Sequence, residues 1–361
     1  MYGYQIKRLF TKYLFLILAC ILSAAAIKIL TIYRWKNDIA RNYMSEKETG
    51  YYTQLLESTS EMSLEQRSKY IYDHRIELSE NTDEELDDAI NRYEDKLRYC
   101  YIINGIINYA KTGKGLVDAY VPNDLNENSV LYASLEKPTV INDEPFLKFL
   151  DLQSRSIMPI IVLLITGVFI ADSYEKRLHL MINISKCSKQ FYKSRETVIV
   201  IFIFLIYSID FIVDLLASGY LASYGYMNAA IQSVPYFIFS HIDLTVGETI
   251  RWLYIVQLIS LYICYNIFVL ISRAVCSIKK YITISAAVII VMSAFSSYFP
   301  EAAPYMFASI CDKKMLLSSI SYIKMIEISE IITTPFVFLL ILVGILTWRS
   351  TGYYDFDIEK I

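Results

Sequence analysis

The chain has few of the residues on which catalytic and metal sites usually depend. Among its 361 residues only three are histidine and six are cysteine, and no Cys-x-x-Cys or His-Glu-x-x-His spacing occurs. A zinc site is therefore not expected. No nucleophile and base stand in a recognisable pattern either, so we do not expect an enzyme.

Cysteine is also too sparse for a disulfide framework. Within the acidic stretch of 34–155 the only cysteine is Cys100, so this stretch must fold around its own apolar core. A phosphate-binding loop is missing too, because Lys111-Thr-Gly-Lys-Gly115 lacks the Walker A spacing and follows a helical pattern. We interpret its glycines as residues that end a helix, and we expect this chain to bind no cofactor itself.

Long apolar runs are what the chain has in abundance. Hydrophobic residues make up 55% of it and its mean hydropathy is +0.37, which is too apolar for an ordinary soluble domain. A helix needs about 20 apolar residues to cross a bilayer. By that measure we predict an all-α polytopic membrane protein with six transmembrane helices, at 13–33, 156–173, 197–217, 251–272, 281–299 and 330–349.

Basic residues predict the orientation of these spans, because short basic links stay in the cytoplasm. Basic residues precede the first span and lie between spans four and five. The link between spans two and three carries six of them: Lys176, Arg177, Lys186, Lys189, Lys193 and Arg195. We therefore expect both termini inside and 34–155 outside a bacterial plasma membrane. The outer stretch carries a net charge of −8, against −3 for the whole chain.

The first apolar run has basic residues before it, as a signal peptide has, but it is too long for that role and we take it as a retained span. The predicted organisation is then a cytoplasmic N-terminus with span one (1–33) and an extracytoplasmic domain (34–155). The remaining spans (156–349) follow, with a cytoplasmic loop at about 172–196, and 350–361 form a cytoplasmic tail.

The pattern of 34–155 indicates mainly helices. Two capping boxes, Ser63 with Gln66 and Thr82 with Glu85, predict helix starts. The second opens a helix of about 25–30 residues that ends near Gly113. Its apolar residues recur at three- and four-residue spacing: Leu86, Ile90, Tyr93, Leu97 and Tyr101. The short apolar pieces 116–120 and 129–132 fit either a small hairpin or turns.

The basic link behind span two has two faces in a helical projection. Leu180, Ile184, Cys187 and Phe191 fall on one narrow face, and Lys186, Lys189 and Lys193 fall on the opposite one. Such a segment is expected to lie along the inner membrane surface. The pattern fits either a plain connection or a transverse helix that docks a cytoplasmic partner.

Residues 169–193 resemble the segment after the second span in permease subunits of six-helix bacterial ABC exporters (the ABC-2-type permease family). In that family an acidic residue ends the span, a coupling helix follows, and a basic residue opens span three. Glu175 stands at the acidic position, 178–185 where the coupling helix runs, and Lys193 or Arg195 at the basic position. Arg177-Leu178 replaces the usual Gly-Thr pair.

The order of one external lobe, six spans and an apolar external element at 300–324 is also similar to that family. The resemblance implies a dimeric permease, formed with a second copy or a paralogue, and a separate ATPase subunit that binds ATP and magnesium. The residues expected to dock the ATPase are Glu175, Leu178, Met181, Ile184, Cys187, Phe191 and Lys193.

Cargo of this permease is expected to be a peptide or a lipid-like amphiphile, with a cationic antimicrobial peptide as the favoured choice. The expected partners are the ATPase, the second permease and the lipid bilayer, and no nucleic acid. An alternative is a membrane receptor or immunity protein that binds its ligand with the outer domain and transports nothing.

Polar residues inside the spans mark a second candidate site. Asp210 and Asp214 lie four apart on one face of span three, near Tyr207, and span four carries Gln257 and Asn266. A carboxylate near the membrane centre costs about 2.5–3.5 kcal/mol, so such groups rarely face lipid. Three interpretations are open: polar packing between helices, a translocation pathway for cationic cargo, and a proton relay.

Overall fold

The computed structural model describes residues 14–36, 43–79, 83–114, 125, 129–152, 157–177, 182, 184, 188–219, 226–237, 243–275, 277–298, 313 and 344. These residues are mostly helical and form no β-strand. An isolated antiparallel bridge joins Ala230 to Thr245. The α-helices are α1 (Leu14–Lys36), α2 (Glu46–Ser58), α3 (Leu64–Ser79), α4 (Glu84–Thr112), α5 (Ser129–Ser134), α6 (Glu144–Asp151), α7 (Ile157–Thr166), α8 (Asp172–Glu175), α9 (Ser188–Ala217), α10 (Val246–Val275) and α11 (Ile278–Tyr298).

Among the described residues, two helices are long and apolar enough to cross a membrane, namely Gln190–Ala217 within α9 and the whole of α10. Helices also lie at the first, second and fifth predicted span positions, where α1, α7 and α11 are found. The sixth predicted position, 330–349, lies outside the described residues except for Gly344. The buried share of the apolar window is 28% in α9 and 61% in α10, so α10 is the more central helix.

A wide helical turn connects α7 to α8. The π-helical turn Gly167–Ala171 follows α7 directly, so the chain stays helical from 157 to 175. Tyr281 of α11 packs against this turn, and its hydroxyl donates to the carbonyl oxygen of Leu163 at 2.8 Å. A Cβ atom built on Gly167 would lie only 2.8 Å from the ring of Tyr281. Glycine at this position therefore allows α7 and α11 to come close.

The central helix of 43–152 is α4, to which α2 and α3 pack. It has 29 residues and ends at Gly113, which has a left-handed backbone (φ 63°), as the sequence predicts. The first four of the five recurring apolar residues are buried, whereas Tyr101 is 39% exposed and Cys100 beside it is buried. Burial raises the pKa of the Cys100 thiol to about 12.

Helix starts follow the capping pattern with one correction. The predicted box of Ser63 and Gln66 is confirmed, since each side chain bonds the other's backbone N–H, at 3.3 and 2.9 Å. The second start is capped by Asp83, whose carboxylate accepts from the Glu85 N–H at 3.3 Å. Thr82, the predicted cap, lies outside the described residues.

The prediction for the two short apolar pieces was partly wrong. Residues 129–132 belong to helix α5, so they do not form a hairpin strand. Their proposed partner, 116–120, lies outside the described residues. A box that the sequence analysis missed opens α2, where Ser45 and Glu48 cap each other.

Helix α6 joins 43–152 to the apolar helices. Its aromatic rings belong to the same buried cluster as α7, α9 and α10. The ring of Phe149 meets that of Phe211 in α9 edge-on at 5.2 Å, and Phe146 lies 6.3 Å from Phe237. The Thr139 N–H also donates to Ser233 Oγ at 3.0 Å. These contacts hold α6 against the C-terminal half of α9.

Candidate functional site

Four charged side chains form a buried cluster between α1, α6 and α9. Lys28 of α1 contacts both Asp210 and Asp214 of α9, and its Nζ lies 2.7 Å from Asp214 Oδ1. Lys313 reaches the same carboxylate from the other side, with Nζ 2.6 Å from Asp214 Oδ2. Asp210 is the most exposed of the four side chains at 17%, and the other three are at 3–5%.

Helical spacing explains why one lysine meets both carboxylates. Asp210 and Asp214 are one turn apart, so both point to the same side of α9. Lys28 also donates to the backbone carbonyl of Asp210 at 3.2 Å. Two ammonium groups then balance two carboxylates. Each charge has an opposite partner, which removes most of the cost of burying it. While both lysines stay in place, this balance leaves no unmatched charge for a cationic cargo at Asp210 and Asp214, and it favours the packing interpretation.

The ammonium of Lys313 has further partners on α6. Its Nζ donates to the carbonyl oxygens of Phe149 at 3.1 Å and Leu152 at 2.9 Å. These carbonyls lie at the C-terminal end of α6, where the helix dipole is negative. The same Nζ lies 3.8 Å from the ring centroid of Phe149 and 5.6 Å from that of Phe211. Cation–π attraction therefore adds to three hydrogen bonds.

A small cavity lies beside this cluster, with enough room for a water molecule. Four of the five predicted pathway residues line it, namely Tyr207, Asp210, Asp214 and Gln257. The other lining residues are Met158, Phe211 and Lys313. Tyr207 donates its hydroxyl to Gln257 Oε1 at 2.5 Å, which joins α9 to α10. The fifth, Asn266, lies elsewhere on α10 and donates to the Tyr262 carbonyl at 2.8 Å.

Among the predicted ATPase-docking residues that the structure describes, Phe191 and Lys193 lie in the first two turns of α9, at the end away from the charged cluster. Glu175 is exposed and accepts from the backbone N–H of Ile278 at 3.2 Å, so it caps the start of α11. Ile184 is 81% exposed, Lys193 is exposed, and Phe191 is half-buried with its ring 6.1 Å from that of Tyr192. Leu178, Met181 and Cys187 lie outside the described residues.

Two arginines lie near the same end, and one of them joins α9 to α10. Arg195 is buried, with its guanidinium 4.9 Å from the ring centroid of Tyr192. Arg273 of α10 lies 3.7 Å from a carboxylate oxygen of Glu196 in α9. The basic position of the family pattern therefore lies inside the helix packing when it is assigned to Arg195, and on the surface when it is assigned to Lys193.

Two members of the buried cluster were missed by the sequence analysis. A lone lysine inside an apolar run is a signal in itself, because a buried ammonium needs a carboxylate partner. Lys28 has that signal, and Asp210 and Asp214 are the matching acids. Lys313 has no such signal, since 300–324 also contains Lys314 and Lys324 and no pattern separates them.

Comparison with models of protein families, with curated proteins and with solved structures finds no match to this chain. Among the described residues, no group of three or more His, Cys, Asp or Glu side chains is arranged to hold a metal ion. The segment at 169–193 and the two groups of residues near the ends of α9 are therefore the features that bear on function.

Proposed function

We propose that this chain is the permease subunit of a bacterial ABC exporter, embedded in the plasma membrane by six spans with both termini in the cytoplasm. A separate ATPase subunit would supply the energy, and a second permease copy or a paralogue would complete the transporter. The cargo would be a peptide or a lipid-like amphiphile. The proposal extends the resemblance of 169–193 to the whole chain.

The backbone at Arg177 is the observation that carries this proposal. Arg177 has a φ of 52°, in the left-handed region that glycine adopts without cost. The permease family has Gly-Thr where this chain has Arg177 and Leu178. In this chain a residue that does not favour the left-handed backbone adopts it, and such strain is typical of functional segments.

Residues on either side of this turn contact the long helices α10 and α11. Glu175 caps α11 through the Ile278 N–H, and Glu196 pairs with Arg273 of α10. A force applied to the link by an ATPase would therefore reach three long helices through contacts that already exist. ATP binding shifts such an equilibrium only if the ATPase prefers one arrangement of the link over the other.

Copurification with an ATPase subunit tests the proposal. We expect tagged wild-type protein, purified from the source bacterium, to retain an ATPase subunit. The double variant Ile184→Asp with Phe191→Asp should retain at least about tenfold less of that subunit. Charged groups in place of these apolar ones are costly to bury in an interface. Val130→Asp is the matched control, because Val130 is also 81% exposed but lies on α5. Equal retention by both variants would contradict the docking assignment.

A second candidate, a receptor or immunity protein without transport, is favoured by the paired charges of the buried cluster. All four ionic groups are matched, and a matched cluster stabilises one arrangement of α1, α6 and α9. For a receptor we expect ligand binding in membrane vesicles without ATP, and no accumulation of ligand on either side when ATP is added. ATP-dependent accumulation would rule it out.

A further inference from the structure

The surroundings of Lys313 Nζ match the needs of a primary ammonium group. An ammonium carries three N–H donors. Here three acceptors lie within 3.1 Å: the carbonyls of Phe149 and Leu152 and the carboxylate of Asp214. The fourth bond of the nitrogen leads into the lysine side chain. The ring centroid of Phe149 lies 3.8 Å from Nζ. We call these groups, with the ring of Phe211, the ammonium cage.

Each wall of the ammonium cage is held by contacts other than those to Lys313. Asp214 is also paired with Lys28, at 2.7 Å. The ring of Phe149 packs on Phe211 at 5.2 Å and stacks with Phe146 at 6.5 Å. The end of α6 is closed by the Leu152 N–H, which donates to the Lys148 carbonyl at 3.0 Å. The cage is therefore preorganised, and preorganisation lowers the cost of binding.

We propose that the ammonium cage is a binding site for a ligand that carries a primary ammonium on an unbranched alkyl arm, as a peptide lysine does, and that Lys313 occupies this site from within the chain. A ligand ammonium would replace the Lys313 side chain and keep the charge of the cluster balanced. The adjoining cavity beside Tyr207 and Gln257 offers polar groups next to the site.

The charge of the chain favours such a ligand. Residues 34–155 carry a net charge of −8, and a field of that sign raises the local concentration of cations. The inference deepens the proposed function, and it rests on that function only for the ligand's role as cargo. Binding is measured on the permease alone, without ATPase, so a failure to recruit an ATPase leaves the binding result intact, and the reverse also holds.

Chemical rescue of a truncated lysine tests the site. Lys313→Ala removes three methylene groups and the ammonium, which together correspond to n-propylammonium. We expect the full-length variant, purified in phosphatidylcholine nanodiscs, to melt about 5 °C below wild type because Asp214 loses a partner. Propylammonium should restore at least half of this shift in a saturable titration. Trimethylpropylammonium, which has the same charge and no N–H donor, should restore none.

Two further variants test whether the rescue is specific to the ammonium cage. Lys279→Ala removes an exposed lysine and should show neither the loss nor the rescue. Phe149→Leu combined with Lys313→Ala removes the nearer ring and should weaken propylammonium binding about fivefold. If Lys313→Ala does not fold, it is expressed and purified with each amine present. Folded protein recovered only with propylammonium supports the site, and no recovery with either amine overturns it.

The source of the ammonium is tested with two further additions to the Lys313→Ala variant. One set of phosphatidylcholine nanodiscs receives N-acetyl-lysine methylamide, and another contains phosphatidylethanolamine, whose headgroup is also a primary ammonium. Stabilisation by the lysine compound supports the proposed ligand. Stabilisation by phosphatidylethanolamine alone would assign the cage to a lipid headgroup and overturn the peptide ligand. Equal response to propylammonium and trimethylpropylammonium would overturn the cage altogether.

Discussion

Two helical glycines, Gly167 and Gly105, differ in the space that an added methyl group would find. A Cβ atom on Gly167 would lie 2.8 Å from Tyr281, whereas one on Gly105 in α4 would meet nothing within 4 Å. We therefore expect Gly167→Ala to destabilise the protein by about 2 kcal/mol, since overpacking forces the ring or the helix to move. Gly105→Ala should stabilise it by up to about 1 kcal/mol, because alanine favours the helix.

Thermal unfolding of the two variants in detergent, followed by circular dichroism, measures both effects. The variants carry the same chemical change in a helix, so each serves as the control for the other. A loss of stability in Gly105→Ala, or none in Gly167→Ala, would contradict the packing described for α7 and α11.

The burial of Cys100 in place of Tyr101 shows what the apolar pattern of a sequence predicts well and what it does not. Buried residues of α4 follow an average spacing of 3.5 residues, through Leu86, Ile90, Tyr93, Leu97 and Cys100. The pattern therefore predicts the helix and its face. It does not separate adjacent residues near the edge of that face, because a tyrosine can extend its hydroxyl into water from either position.

The ion pairs between α1 and α9 can be tested by two matched variants, because Lys28 pairs with both Asp210 and Asp214. Asp214 binds Lys28 and Lys313 with separate oxygens, whereas Asp210 pairs with Lys28 and is partly exposed. We expect Asp214→Asn to cost about 3 kcal/mol, because it leaves a buried ammonium without its carboxylate. Asp210→Asn should cost about 1 kcal/mol or less, since Lys28 keeps Asp214 as a partner.

Both aspartate variants are measured by thermal unfolding under the same conditions, with the wild type beside them. They make the same chemical change one helical turn apart on α9, so a general effect of altering this helix would appear equally in both. Equal losses, or a greater loss for Asp210→Asn, would contradict the central position of Asp214 in the cluster.

Element positions were predictable from the sequence to the extent that they depend on local pattern. Apolar runs and caps gave the helices at five predicted span positions and the ends of α4, since these depend on residues close in the chain. The candidate site depends on distant residues: Lys28 and Lys313 are 182 and 99 positions from their aspartate partners. Periodicity carries no information about such pairs, and only the lone charge of Lys28 hinted at one.

At the scale of the whole molecule, the predicted topology places α5 and the basic link on opposite sides of the membrane. Val130 and Ile184 are each 81% exposed, so a thiol at either position would be accessible to a reagent on its own side. We expect Val130→Cys to react with a membrane-impermeant maleimide in intact cells, and Ile184→Cys to react only after permeabilisation. Both are measured as the increase over labelling of the native cysteines.

This pair of variants separates a membrane protein from a soluble one with long buried helices. In a soluble cytoplasmic protein both thiols would react only after permeabilisation, and in an inverted protein the order would be exchanged. Basic residues in the link predict that it stays inside, because translocating them across a charged membrane is unfavourable. Labelling of Ile184→Cys in intact cells would therefore overturn the orientation, and with it the access of a cytoplasmic ATPase to the turn at Arg177.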